Sequence, residues 1–458
     1  MNDVLSRRIV KMEEIAKEMG LSWIPIFWEV VPQGVMTEIA SYGLPHRARH
    51  WHYGQSYEYQ KLTGELGHSK IYELVLNSEP SYAFLLDTNS DIANSLVIAH
   101  VIGHSTYFLN NYLFKLTDRK MVYHAAERAT RVDEYIEKHG IEAVEHMMNI
   151  AFALDKCIDW HKGRHREKYS SKSVKIGKRK VGEFDDILKP PAPPKAEEKF
   201  PPHPEYDLLW FFMTYANLED WQKDILYIVR EESFYFYPQY STKISNEGFA
   251  VFCHSEIMAR MDEIDHPEHM EFCRIHERVV QPGGNPMEMN PYFLGFLILD
   301  DIRKKWDKKF AEGESEINGI QKVVEVISEE DDVSLVKNYL TQEMVDEHKM
   351  FAYEYEADPG GAEYVTIKST SVDAVAEHLV KKIYNYTAPL ICVTKATNDG
   401  IELEHHSVQE GTLDEKHIAK VMEYIFWMCK VPVNLQTVDE DGNEMHFTFD
   451  ECGFSGQE

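Results

Sequence analysis

Two stretches hold side chains whose types and spacing suit chemistry. In 242–254, T-K-I-S-N-E-G-F-A-V-F-C-H, Glu247 and His254 stand seven residues apart. Seven residues are two helical turns, so both side chains fall on one face. Gly248 and Ala250 beside them are small, which admits another backbone or an ion. A Glu/His pair on an otherwise apolar helix is costly to bury without a partner. Upstream, 90–116 has helical apolar spacing and carries His100 and His104 at i and i+4. That spacing lets one helix offer two imidazoles to one metal ion. It suits two buried, hydrogen-bonded core histidines equally well. Val101 stands where an H-E-x-x-H peptidase places its glutamate.

Other polar residues interrupt apolar runs. Glu73 is the one acid in the expected strand 71–77, I-Y-E-L-V-L-N. Arg230, Glu231 and Glu232 break the aromatic helical run 206–237. A carboxylate there serves as metal ligand, histidine clamp or general base, or forms an internal Arg–Glu pair. His161 and His165 repeat the i, i+4 spacing among basic neighbours, which reads as a solvated helix end. His50 and His52 read as satisfied histidines at a helix entry. His405 and His406 sit at a strand end and carry no signal. No glycine-rich phosphate loop and no G-x-S-x-G occurs.

The elements that must position these groups follow from the pattern. A helix over 4–19 ends at Gly20, and strands at 71–77 and 81–87 precede the histidine helix. Helices are expected over 121–169, 206–237, 243–262 and 296–310, with a D-H-P-E-H turn and a Gly/Pro-rich loop carrying His276 and Tyr292 between the last two. From about 320 helices give way to a hairpin, further helices and strands. The expected fold is α+β: a mainly helical domain over 1–320 with a small strand region, then a smaller mixed α+β domain over 321–458. Residues 170–205, basic and then rich in adjacent proline pairs, read as a surface excursion or linker within the first domain.

The 458 residues carry 48 Lys and Arg against 77 Asp and Glu, a net charge of -29. That balance argues against nucleic acid or an anionic membrane as partner. The six cysteines form no C-x-x-C and read as reduced thiols. The N-terminus lacks a signal-peptide pattern, and no unbroken apolar run reaches about 18 residues. No membrane span is expected, and the cytoplasm is the expected compartment.

Several motifs in order resemble the SpoVR family, the stage V sporulation protein R type. They are H-V-I-G-H-S-T-Y-F-L-N-N (100–111), R-E-E-S-F-Y-F-Y-P-Q (230–239), the 242–254 stretch, M-N-P-Y-F-L-G-F (289–296) and Y-L-T-Q-E-M-V-D-E-H-K-M-F-A-Y (339–353). The resemblance implies a cytosolic protein linked in spore formers to cortex assembly. It also implies a PrkA-type serine kinase and a von Willebrand-A-like protein as partners. N-E-G-F-A is in addition similar to the N-E-G-x-A helix of gluzincin metallopeptidases. That likeness implies a zincin-like first domain, with zinc held by His100, His104 and Glu247. With Val101 in place of the general base, Glu73, Glu231 or Glu232 is the expected substitute. His254 is expected as a further ligand or an oxyanion donor. The competing expectations are a zinc-dependent peptidase or amidase, a catalytically silent metal-binding module, and a structural assembly factor with core histidines.

Overall fold

The computed structural model describes residues 2–65, 73–169, 176, 199–282, 289–357, 363–408, 412–440 and 442–457. Most of the basic, proline-rich tract over 170–205 lies outside them. Among the described residues the chain is mainly helical with three small sheets. It divides into two compact units, residues 1–129 with 238–383 and residues 130–237 with 384–458. This division differs from the 320/321 boundary expected from sequence texture. The reason is packing: Val323, Val326, Ile327, Leu335, Val336, Val375 and Leu379 join the core of the first unit.

The first unit is built around helix Asp91–Asn110. Ser90 caps it by accepting the Ala93 N–H at 3.2 Å. Every residue from Ile92 to Phe108 is buried, so the helix has no solvent face. By length and apolar composition it could cross a membrane, a point the search for an unbroken apolar run missed. In the fold 94% of its apolar window is buried, as befits a core helix. Ser105 Oγ donates to the Ile24 carbonyl at 2.7 Å and ties the helix to the segment entering strand Ile26–Val31. That strand pairs in parallel with Ser81–Leu86, which pairs antiparallel with Glu73–Leu76. The small sheet thereby brings Glu73, opposite Leu85, to the start of an edge strand.

Helix Lys243–Met258 packs on the histidine helix on one side and on Pro291–Ala311 on the other, through small residues. A Cβ added to Gly103 would meet Ala250 Cα at 2.8 Å, and one added to Gly295 would meet Gly248 Cα at 2.8 Å. Gly248 and Ala250 therefore admit another backbone, not an ion. Thr242, at the N-cap position of Lys243–Met258, makes no capping hydrogen bond with its side chain. Buried Asp332 does the work instead, accepting the Ile244 and Ser245 N–H groups at 2.8 Å each and the Ser245 hydroxyl at 2.9 Å.

The expected turn at D-H-P-E-H is the start of a helix, His266–Val279. Asp265 accepts the Glu268 N–H as N-cap, and Pro267 falls in the first turn, where its missing N–H costs nothing. Arg8, buried on the N-terminal helix Asp3–Glu18, donates to Glu268 at 2.6 and 2.8 Å and to Ser95 at 3.1 Å. This clamp fixes the helix that carries His276.

The second unit holds helices Ile141–Ala153, Leu208–Tyr215 and Glu415–Cys429 and most of Asp220–Ser241. Its five-stranded sheet orders Gly453–Gln457, Glu444–Asp450, Val433–Val438, Ile401–His406 and Leu390–Ala396 side by side. The last strand, Gly453–Gln457, had no counterpart in the sequence reading. Only Ile401–His406 and Val433–Val438 run parallel, and helix Glu415–Cys429 makes their crossover.

Candidate metal centre

Four side chains from three elements converge in the first unit. His100 Nε2 lies 3.1 Å from Glu73 Oε1 and 3.5 Å from Glu247 Oε2. His104 Nε2 lies 3.4 Å from the same Glu247 oxygen. The donor atoms of Glu73, His100 and His104 lie within 4.8 Å of one another. The i, i+4 spacing stacks the two imidazoles on one helix face, and Glu247 meets them from the neighbouring helix. His100 Nε2 and Glu247 Oε2 are buried without a hydrogen bond of ordinary geometry. Two nitrogens, two carboxylates and two orphaned buried atoms make a donor set that fits a divalent cation of the zinc class.

The other ring nitrogens are held from behind. His104 Nδ1 donates to Asn246 Oδ1 at 2.9 Å, which leaves Nε2 to face Glu247. His100 Nδ1 lies 3.1 Å from His254 Nδ1, and His254 Nε2 lies 2.8 Å from His276 Nδ1. Both nitrogens of His254 are thus engaged. Its contacts run to His100 on one side and His276 on the other. Tyr292 lies beside His100, ring centres 6.3 Å apart.

Burial opposes charge on Glu247, yet the two histidines hold its carboxyl well below the usual range. Burial likewise opposes an imidazolium at His104, but Glu247, Glu73 and Asn246 outweigh it and push His104 up to about 9. Burial raises the Glu73 carboxyl above its ordinary value despite both histidines. Burial, Glu247 and Glu73 push the Tyr292 hydroxyl far up, so it stays protonated. Burial, His100 and His276 hold His254 neutral.

These shifts give the metal-free protein a pH dependence. His104 keeps a proton in the fold that the unfolded chain releases near 6.5. Its contribution, on the order of 3 kcal/mol, is full below pH 6.5 and lost as the pH rises through about 9. The melting temperature of chelator-treated protein is expected to fall across that window. A flat profile there would contradict the His104–Glu247 pair.

The expected ligands His100, His104 and Glu247 therefore meet, and Glu73 joins them. Glu231 and Glu232 do not belong to this cluster; they lie buried in the second unit, where Glu231 pairs with Arg164. Glu231 thus forms an internal Arg–Glu pair, and Glu73 is the carboxylate beside the histidines. Sequence reasoning gave no role to Asn246, His276 or Asp332. Asn246 adjoins Glu247 and could have been found as the i-1 neighbour. Asp265 with Pro267 was the overlooked signal for the helix that presents His276.

A buried imidazole–carboxylate cluster shared between packed helices, inside a mainly helical unit, defines the class of site. The comparisons then place the chain. The family model described as SpoVR like protein matches residues 2–388. The uncharacterized protein YcgB of Escherichia coli (strain K12) is 33% identical over 327 residues, which cover 66% of this chain and 64% of that protein. The match thus spans less than two thirds of the relative's length. No solved structure gives a significant match. The chain belongs to the SpoVR family.

Proposed function

We propose that this SpoVR-family chain is a metal-dependent hydrolase of the zincin-like type, a peptidase or amidase, with zinc as its cation. The observation that carries the reading is that Glu247 Oε2 lies 3.5 Å from His100 Nε2 and 3.4 Å from His104 Nε2, with Glu73 3.1 Å from His100. A cation held by His100, His104 and Glu247 supplies Lewis acidity that activates water and polarises a carbonyl. The protein's own groups do the rest. Glu73, whose carboxyl burial has raised, takes the proton of the attacking water and returns it to the leaving amine. Tyr292 donates its hydroxyl proton in a hydrogen bond to the developing oxyanion. Asn246 and His254 hold the two imidazoles in orientation.

The family link points this activity towards cell-envelope or spore-cortex material and stress response in the cytoplasm, alongside a PrkA-type serine kinase and a von Willebrand-A-like protein. One observation favours a second reading. The donor atoms of Glu73, His100 and His104 lie within 4.8 Å of one another; with Glu73 as a fourth ligand no place would be left for water, and the module would bind metal without turnover.

Glu73→Gln separates the two. With peptide and peptidoglycan-fragment substrates, the hydrolase reading predicts a rate loss of about 10²–10⁴-fold with metal content unchanged. Loss of metal from that variant, with no turnover by the parent protein, would favour the silent module instead.

A further inference from the structure

The second unit carries a separate cluster whose Cys392, Glu404 and His406 lie beyond the residues 2–388 that the family model matches. Cys392 and Glu404 are directly opposite on the antiparallel strands Leu390–Ala396 and Ile401–His406. His406 follows Glu404 by two residues, so all three share one face of the sheet. Cys392 Sγ lies 3.5 Å from His406 Nε2, and Glu404 Oε1 lies 4.0 Å from the same nitrogen. The Tyr206 hydroxyl lies 3.3 Å from it. The thiol, imidazole and carboxylate donors all fall within 4.8 Å of one another. We propose that Cys392, Glu404 and His406, with the Tyr206 hydroxyl beside them, form a second metal site that binds a zinc-class divalent cation.

Hydrogen bonding alone does not account for this arrangement. A ring nitrogen has either one hydrogen or one lone pair. Here the Cys392 thiol and the Tyr206 phenol both lie within hydrogen-bond reach of the same nitrogen, which can serve only one of them at a time, and the Glu404 carboxylate at 4.0 Å makes no hydrogen bond to it. A cation at their centre takes the sulfur, nitrogen and carboxylate together. Zinc–sulfur and zinc–nitrogen bonds at a tetrahedral angle put the two ligand atoms about 3.5 Å apart. That matches the Cys392–His406 separation. The Glu404 side chain, 44% exposed, is free to close the remaining gap.

A nucleophile–base pair is the other chemistry that cysteine and histidine offer, and the geometry speaks against it. In such a pair the carboxylate orients the ring from the nitrogen opposite the thiol. Here it approaches the same nitrogen. The sulfur lies buried at the base of the cluster while His406 and Glu404 are part-exposed, so a cation can enter from solvent.

The test is titration of the reduced, full-length protein with Co(II), read by absorption. The expected result is a thiolate-to-cobalt charge-transfer band that saturates with one thiolate-bound cobalt per chain, counted apart from cobalt taken by the histidine centre. It disappears in Cys392→Ser, a replacement of nearly equal volume. In His406→Ala, at a part-exposed position that leaves the core intact, affinity falls at least about tenfold. The band survives in His100→Ala/His104→Ala, because the centre in the first unit has no sulfur donor. Failure here is thus distinguishable from failure of the proposed hydrolase. Absence of the band in the parent protein, or its persistence in Cys392→Ser, would overturn the proposal.

Discussion

Gly295→Ala is expected to lose both the fold's stability and the metal centre. A Cβ at that position would overlap the Ile244 carbonyl oxygen and sit 2.8 Å from Gly248 Cα. Neither obstacle is the end of a flexible side chain. Both belong to the backbone of the helix that carries Asn246 and Glu247, so the helices must separate. Overpacking of this kind costs about 1–3 kcal/mol, and a backbone obstacle puts it at the upper end. The functional loss should exceed the stability loss. Glu247 reaches the imidazoles at 3.4 and 3.5 Å, and an outward shift of its helix removes one ligand from the other two. The checks are a denaturant midpoint and metal content side by side. A Gly295→Ala protein with parental stability and full metal content would show that the close crossing is not what assembles the site.

The second large effect lies in the other unit. Arg230 and Asp207 are fully buried, and the guanidinium donates to the carboxylate at 2.8, 3.0 and 3.2 Å. Arg230 also donates to the Arg164 and Gly163 carbonyls at 2.8 and 3.2 Å. Asp207 accepts the Trp210 N–H as N-cap of helix Leu208–Tyr215. Next to this pair, buried Glu205 accepts from Arg166 at 2.6 and 3.0 Å and from the Tyr169 hydroxyl. Asp207→Asn leaves a buried guanidinium without its counter-charge, at an expected cost of about 3–5 kcal/mol. Arg230→Met added to that variant removes the stranded charge. The double variant should therefore be more stable than Asp207→Asn alone. Urea unfolding of the four proteins of the cycle measures this. Additive losses would contradict the ion-pair account of the R-E-E motif.

What could be read from the chain was local. The spacing of His100 with His104, and of Glu247 with His254, needs only the helical period, and these residues do meet in the fold. Glu73 stood out because an acid in an apolar strand has few reasons to be there. Features that depend on distant partners were not readable. Asp332 caps a helix through Ile244, 88 residues earlier, and no local pattern announces it. His254 shares a helix face with Glu247 as expected, but its role depends on His276, whose helix was hidden in a Pro-containing segment that looked like a turn. Pro in the first turn and Asp at the cap start a helix as readily as they make a turn. His406 carried no signal because its neighbour Cys392 is set by strand register. The 320/321 boundary followed a change of texture, whereas the compact units are each made of two separated stretches.

The most direct test of the central claim is elemental analysis of the purified, untagged protein beside His100→Ala/His104→Ala, with Cys392→Ser included so that the two centres are counted separately. The account predicts near-stoichiometric zinc at the histidine centre, retained in Cys392→Ser and lost in the double-histidine variant. A parent protein that holds no metal and takes up none when zinc is added would contradict it. The His100, His104, Glu247 and Glu73 side chains would then be a buried polar network of the core.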